Sequence, residues 1–183
     1  MANLYDITVH LGGFEMNKKL IIINGNMGVG KTATCKKLYK KLQNSVWLDG
    51  DWCWMMNPFI VNEENKQMVV NNITYLLRSF LTNSSYEYVI FNWVIHLEEI
   101  FAMILNKLDD LEFEVIKITL ICNEESLQSR ISLDIENNLR DKGNINLSLE
   151  RNPLYKNMNT IKIDTSNISI VQAVNKIIEI VEK

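Results

Sequence analysis

The fold is decided by Gly25-Asn26-Met27-Gly28-Val29-Gly30-Lys31-Thr32, which fits the pattern Gly-x-x-x-x-Gly-Lys-Thr. An apolar run over residues 20–23 precedes this segment, and apolar side chains at helical spacing follow it over residues 31–42. Glycines let the backbone turn with positive φ and bring bare N–H groups against phosphate oxygens. The helix that follows points its free N–H groups and its positive dipole end at the same anion. The segment therefore predicts a phosphate-binding loop, or P-loop.

The side chains at the end of this loop add charge and a metal ligand. Lys31 supplies a positive charge for the β- and γ-phosphates of a nucleoside triphosphate, and the Thr32 hydroxyl is suited to Mg²⁺. We therefore predict ATP and Mg²⁺ as cofactors. No Asn-Lys-x-Asp guanine signature appears, so ATP is taken as the default nucleotide. The predicted nucleotide-binding residues in this region are Gly25, Asn26, Met27, Gly28, Val29, Gly30, Lys31, Thr32 and Ala33.

The rest of the chain alternates β-branched apolar runs with segments of helical period. This alternation is typical of a three-layer α/β fold, here with a five-stranded parallel sheet flanked by helices. The expected strands are residues 20–23, 46–48, 88–91, 115–121 and 160–164. Asn123 is expected to cap one helix, and Ser169-x-x-Gln172 is expected to form the capping box of the last one.

Composition limits the classes of function. The 183 residues fit one domain, 47% are apolar, and the net charge of −3 gives no basic footprint for nucleic acid. Three cysteines without a Cys-x-x-Cys pair favour a reducing cytoplasm, and no run is long enough to span a membrane. We expect residues 1–16 to be a leader or upstream extension, with Met16 as a candidate start. The domain then covers residues 17–183, with a mobile polar lid at about 136–157.

Two acidic residues follow the second predicted strand. Trp47-Leu48-Asp49-Gly50-Asp51 places them at the carboxyl edge of an open parallel sheet, where ligands bind. An Asp-Gly pair also occurs in ordinary polar turns. With the P-loop, however, this motif resembles small P-loop kinases such as gluconate kinase, shikimate kinase, adenylyl-sulfate kinase and chloramphenicol phosphotransferase, and more broadly nucleotide-kinase-like ATPases of the AAA family. The resemblance is specific over residues 20–52 and follows the element order of most of the chain after Met16.

The resemblance implies roles for these acids. Asp51 would act as the base or orient the acceptor, and Asp49 would contact the acceptor and support the Mg²⁺ shell together with Thr32. Many P-loop proteins instead hold the metal shell with an Asp at the end of a neighbouring strand. Here the third strand ends in Asn92, which carries no charge. Either the two aspartates do the metal work, or metal binding is weak and catalysis is poor.

Other site residues follow from the same resemblance. Lid arginines close over the phosphates in such kinases, which makes Arg130 and Arg140 candidate catalytic residues beside Lys31 and Asp51. Arg130 matches the family position best, and Arg151 is a further lid candidate; a solvated surface position is the alternative for each arginine. Asp164 and Thr165 lie where these kinases contact the adenine base.

Aromatic residues follow the ends of the second and third strands. These aromatic side chains either line an acceptor pocket or pack in the hydrophobic core. We predict Asp49, Asp51, Trp52, Asn92 and Trp93 as the acceptor-binding residues. Trp54, Phe59 and His96 lie near them in sequence, and a lone histidine is more often structural.

The sequence thus predicts a kinase that transfers the γ-phosphate of ATP to a small molecule. A nucleotide, a nucleoside, a sugar acid and an antibiotic all remain open as acceptors, since the tunicamycin-resistance protein also resembles this layout. The alternative is a non-catalytic or regulatory nucleotide-binding module, which Asn92 favours. A polynucleotide kinase is disfavoured by the acidic balance. We expect a monomer or homodimer with no nucleic-acid or membrane partner.

Overall fold

The computed structural model describes residues 18–183. These residues form five strands and six α-helices, with one 3₁₀ helix after the second strand. In order they are β1 (Lys19–Gly25), α1 (Lys31–Lys41), β2 (Ser45–Asp49), the 3₁₀ helix (Gly50–Trp54), α2 (Glu63–Leu81), β3 (Tyr88–Asn92), α3 (Glu98–Leu105), β4 (Glu114–Ile121), α4 (Glu124–Glu136), α5 (Asn144–Lys156), β5 (Ile161–Asp164) and α6 (Ile170–Val181). The predicted leader, residues 1–16, lies outside the described residues.

The five strands form one parallel sheet in the order β2-β3-β1-β4-β5. The sheet extends from β1 on both sides, through β3 to β2 on one side and through β4 to β5 on the other. The carboxyl end of β1 is therefore a topological switch point. Ligands of open α/β sheets bind in the crevice at such a point. The P-loop begins there, and the predicted three-layer α/β fold is confirmed.

Both faces of the sheet are covered, which explains why its central strand is a continuous apolar run. Leu20 and Ile22 of β1 pack with α2 and α3, whereas Ile21 and Ile23 pack with α1, α4 and α6 on the other face. All four side chains are fully buried. Within residues 18–183, no helix combines the length and apolar character needed to cross a membrane.

The segment 136–157 differs from its predicted form. The polar, Asn-rich sequence containing Gly143 and Pro153 indicated a loop, but residues 144–156 form helix α5, and only 137–143 separate it from α4. The loop prediction was wrong there because Ser148, Asn152 and Tyr155 lie on one helix face and are buried against the body of the protein. Whether the segment acts as a lid stays a prediction.

Candidate active site

The P-loop has the backbone that its glycines predict. Gly25, Gly28 and Gly30 all have positive φ, at 146°, 81° and 95°. A Cβ on Gly25 would lie 2.5 Å from the carbonyl oxygen of Leu120 on β4, so a side chain is excluded. No atom lies within 4 Å of the corresponding point on Gly30, which lines an open cavity. The loop is therefore fixed against the sheet at one end and accessible at the other.

Lys31 lies at the start of α1 and is buried in the loop. Its ammonium donates a 2.9 Å hydrogen bond to the carbonyl oxygen of Asn26. Burial lowers the pKa of Lys31 to about 8, although the charges of Asp51 and Asp49 oppose the shift. A desolvated ammonium on the wall of an open cavity is well placed to attract a phosphate, because phosphate oxygens would replace the solvation that the lysine has lost.

The Thr32 hydroxyl donates a 2.8 Å hydrogen bond to Oδ2 of Asp49. Asp49 and Asn92 are paired residues at the ends of the neighbouring strands β2 and β3. Asn92 is also paired with Ile23 on its other neighbour, β1. The Asn92 side chain is buried and accepts a 2.6 Å hydrogen bond from the Trp47 indole. One strand further out, Asp49 thus presents a carboxylate in contact with the P-loop threonine.

Asp51 lies in the 3₁₀ helix that Asp49 begins. Oδ1 of Asp49 accepts a 3.1 Å hydrogen bond from the backbone N–H of Asp51, which fixes the turn. Burial raises the pKa of the Asp51 carboxyl, and the nearby Asp49 charge raises it further, with Lys31 and Arg140 acting in the opposite direction. A carboxylate with a raised pKa is better matched to accepting a proton near neutral pH.

Several of these residues border one large cavity of about 1570 Å³. Its wall includes Lys31 and Thr32 of the P-loop, Asp51 after β2, and Trp93 and His96 after β3. Ligand pockets commonly hold ~300–1,000 Å³, so this cavity has room for more than one small molecule. Arg130, Arg140 and Arg151 also line it.

Residues 21–150 match the family model described as the AAA domain. The chain belongs to this family. No curated protein matches the chain in sequence.

Several solved structures resemble this chain in fold at low sequence identity. The tunicamycin resistance protein of Deinococcus radiodurans is 20% identical, with 90% of this chain and 95% of that chain covered and a TM-score of 0.70. Shikimate kinase from Acinetobacter baumannii, solved with shikimate, is 19% identical over 91% and 94%, with a TM-score of 0.62. The APS kinase of Mycobacterium tuberculosis, solved with AMPPNP and APS, is 13% identical over 91% and 99%, with a TM-score of 0.63. The resemblance of this sequence to small P-loop kinases is confirmed, and the shared structure is the P-loop nucleotide-binding fold.

Eight predicted site residues do not line the large cavity: Gly25, Asn26, Val29, Asp49, Trp52, Asn92, Asp164 and Thr165. Trp52 is half-exposed, packs on Trp47 with ring centroids 4.9 Å apart, and lines a separate cavity of about 460 Å³. Asn92 is buried behind the site. Asp164 is exposed and accepts hydrogen bonds from Ser166, which lower the pKa of its carboxyl.

The three arginines around α4 and α5 occupy different places. Arg130 donates two hydrogen bonds to Thr165, one to Oγ1 at 3.1 Å and one to the carbonyl oxygen at 2.6 Å, and so holds the turn after β5. Arg140 is paired with Asp134 at 2.8 Å, while its charge lowers the pKa of both Lys31 and Asp51. Within residues 18–183, the side chain of Arg151 takes part in no hydrogen bond or ion pair.

Sequence reasoning missed several residues at this site. Lys36 lines the cavity because it lies four residues after Thr32 on the same face of α1, and helical spacing would have found it. Ser148 on α5 was not identified. It accepts a 2.6 Å hydrogen bond from Nδ2 of Asn26 at its carbonyl and donates from its hydroxyl to Oδ1 of Asn26 at 3.2 Å. No local sequence signal marks this contact, because it joins residues 122 positions apart.

Proposed function

We propose that the protein is an ATP-dependent kinase that transfers the γ-phosphate to a small molecule. The observation that carries the proposal is that Lys31 and Thr32 of the P-loop share one cavity with Asp51. A phosphate donor held by the loop therefore faces a carboxylate able to take the acceptor's proton. The names of similar structures, which include shikimate kinase, a gluconokinase and APS kinase, support this reading.

Thr32 and Asp49 are the residues that would hold Mg²⁺. Their hydroxyl and carboxylate oxygens are hard ligands of the kind Mg²⁺ prefers, and Mg²⁺ in such sites takes further oxygens from phosphate and water. When bound, the metal would offset negative charge on the phosphates. Asn92 does not supply a ligand, because its amide oxygen already accepts from Trp47.

The transfer chemistry assigns one task to each remaining group. Asp51 accepts the proton of the acceptor hydroxyl as that oxygen bonds to the γ-phosphorus. The bond from this phosphorus to the bridging oxygen breaks at the same stage, and ADP leaves. Lys31 and Arg140, which both line the cavity, stabilise the charge on the transferred group. Arg130 supports the nucleotide side by holding Thr165.

The acceptor is proposed only by class: a nucleotide, a nucleoside, a sugar acid or an antibiotic. Trp54, Phe59 and Trp93 line the cavity, so aromatic side chains contribute to the pocket as well as to the core. We further propose that the protein works in the cytoplasm as a monomer or homodimer. Its free Cys35, Cys53 and Cys122 agree with a reducing compartment.

The second candidate, a non-catalytic nucleotide-binding module, is favoured by the neutral Asn92 at the end of β3. The two candidates differ at Asp51, because a module needs no base. The decisive measurement is ATP consumption by the purified protein with Mg²⁺ and a panel of acceptors, together with AMPPNP affinity by calorimetry. Lys31→Ala weakens nucleotide binding under either candidate and does not separate them.

We expect Asp51→Asn to lower the rate of transfer by about 10²–10⁴ while AMPPNP affinity changes little. The matched control is Asp109→Asn, the same chemical change at an exposed position outside the cavity. An Asp51→Asn variant with the turnover of Asp109→Asn contradicts the role of Asp51. Wild-type protein that binds AMPPNP but phosphorylates nothing across the panel supports the module instead.

A further inference from the structure

The side chains of Arg151 and His96 line the same cavity, and each has polar atoms without a hydrogen-bond partner in the described part of the chain. Arg151 is partly buried on α5 and has no hydrogen-bond or ion-pair partner within the described part of the chain. Nδ1 of His96 is buried and likewise has no partner there. Buried polar groups are ordinarily paired, and an unpaired one at a cavity wall calls for a functional explanation.

The fold brings Arg151 to the side of the cavity formed by β3. Ser148, Arg151 and Tyr155 share one face of α5; Ser148 contacts the P-loop and Tyr155 packs in the core beside α2 and α3. Beyond the helix, the Asn159 N–H donates a 2.8 Å hydrogen bond to Glu98, two residues after His96. The end of α5 and the segment after β3 are therefore held together.

The three arginines Arg130, Arg140 and Arg151 lie at different parts of the cavity wall. Arg130 is held at Thr165, and Arg140 is paired with Asp134 near Lys31 and Asp51. The charge of Arg151 acts elsewhere, since it lowers the pKa of His96. Arg151 is thus the member of the set that remains available on the acceptor side.

His96 complements this charge as a hydrogen-bond donor. Burial and the Arg151 charge both lower the pKa of its imidazole, so the ring is neutral at physiological pH. A proton on the buried Nδ1 would have no acceptor, so the neutral ring carries it on Nε2. A donor N–H and an unpaired guanidinium on the wall of the same cavity form an arrangement that recognises an oxyanion.

We propose that Arg151 and His96 form the anion-binding part of the acceptor pocket, so that the acceptor carries a carboxylate or phosphate group attached to an apolar or aromatic body. The apolar part of such a molecule would contact Trp54 and Phe59, whose ring centroids lie 5.8 Å apart on the cavity wall. This inference rests on the proposed function for the idea of an acceptor. The binding site itself is testable without turnover.

The test is calorimetric titration of the full chain saturated with Mg²⁺ and AMPPNP, so that the P-loop is occupied. The probes are phenyl phosphate, phenylacetate and the neutral 2-phenylethanol. We expect at least one anionic probe to bind at least about tenfold more tightly than the neutral one. Arg151→Gln is expected to weaken that binding by at least about tenfold, and Arg151→Lys by less, because it keeps the charge but loses the fork.

Lys156→Gln is the matched control, since it removes one positive charge from the same helix at an exposed residue outside the cavity. Arg151 has no partner to leave unpaired, so its variants should melt within a few degrees of wild type. His96→Phe, which keeps a ring but removes the donor, should also weaken the anionic probe.

Two results would overturn the proposal: anionic probes that bind no better than 2-phenylethanol, or anion binding that Arg151→Gln and Lys156→Gln affect equally. Failure of the proposed function would appear differently, as absent AMPPNP binding or absent transfer. If AMPPNP does not bind, the titration is run without nucleotide. The loss of anion affinity in Arg151→Gln then still tests the proposed anion site.

Discussion

The Thr32 hydroxyl and the Asp49 carboxylate are joined by a 2.8 Å hydrogen bond that connects the start of α1 to the end of β2. Strand β3 lies between β1 and β2 in the sheet. The contact between Thr32 and Asp49 therefore spans the end of β3, where the neutral Asn92 stands instead of an acidic residue. A hydroxyl and a carboxylate in direct contact place two oxygen atoms side by side at the P-loop, as the proposed Mg²⁺ site requires.

Replacing Asp49 tests its proposed metal role. In Asp49→Asn, Oδ1 can still accept from the backbone N–H of Asp51, and the new amide N–H₂ can donate to the Thr32 hydroxyl in place of accepting from it, so the fold should hold. Loss of the negative charge is expected to raise the Mg²⁺ concentration needed for tight AMPPNP binding by about 10–100-fold. Calorimetric titration of AMPPNP over a Mg²⁺ series measures this without any acceptor. Equal Mg²⁺ dependence in Asp49→Asn and in the remote Asp109→Asn would remove Asp49 from the metal site.

Nucleotide affinity should depend on the charge state of Lys31. Its pKa is lowered to about 8, so the lysine is charged below that pH and increasingly neutral above it. A bound phosphate favours the charged form, so binding above about pH 8 must take up a proton, and affinity falls by up to about tenfold per pH unit. Calorimetry at about pH 9 in buffers of different ionisation enthalpy should show this proton uptake. A Lys31→Met variant should lack it, and affinity that stays flat between about pH 7.5 and 9.5 would contradict the lowered pKa.

The same shift acts on folding in the opposite direction. Between about 8 and the ordinary 10.5, the unfolded chain holds a proton on Lys31 that the folded nucleotide-free protein has released. The free energy of unfolding should therefore rise with pH across this window, by up to about 1.4 kcal/mol per unit. Denaturant unfolding of wild type and Lys31→Met isolates this contribution, since other titrating groups are common to both. A difference between the two proteins that does not change with pH would argue against it.

The contact between Asn26 and Ser148 should stabilise the P-loop. Asn26→Ala removes the donor to the buried Ser148 carbonyl oxygen and the acceptor of the Met27 N–H. Loss of the buried hydrogen bonds of the Asn26 side chain should lower the free energy of unfolding by about 1–3 kcal/mol. AMPPNP affinity should fall as well, because the Asn26 backbone also holds Lys31. Asn71→Ala, at an exposed position of α2, is the control and should change neither quantity appreciably.

What the sequence could predict depends on how far apart the interacting residues are. The capping box at Ser169 and Gln172 and the cap at Asn123 are local, and both form as the sequence predicts. Helix α5 was not predicted, because its composition is polar and contains Pro153. Its stability comes instead from tertiary contacts such as the bond from Asn152 to the Cys122 carbonyl oxygen.

The site shows the same division. The P-loop glycines and the position of Asp49 at a strand end follow from the order of residues along the chain. The direction of a side chain after a strand does not, which is why Trp52 lies on Trp47 while Trp93 faces the cavity. Contacts between residues distant in sequence, such as Arg130 with Thr165, depend on the packed fold.

Gly50 lies between the two site aspartates and is in close contact with Trp93. A Cβ at this position would lie 2.6 Å from Cγ of the Trp93 indole, at the base of a bulky ring rather than at the end of a flexible chain. Gly50→Ala must therefore displace Trp93 or the turn carrying Asp51, and both of these side chains line the cavity. We expect the free energy of unfolding to fall by about 1–3 kcal/mol. Transfer should slow while AMPPNP affinity stays near wild type, because the P-loop is untouched.

Gly143→Ala provides the comparison for Gly50→Ala. Gly143 has φ of −64° and ψ of −17°, and no atom lies within 4 Å of a Cβ built there. This substitution should be neutral, or should stabilise the protein by up to about 1 kcal/mol, because it reduces the entropy of the unfolded chain. Denaturant unfolding, AMPPNP calorimetry and the transfer assay on both variants separate a general glycine effect from the specific contact. Equal stability and equal turnover in the two variants would mean that the indole moves aside without cost and that Gly50 does not position Asp51.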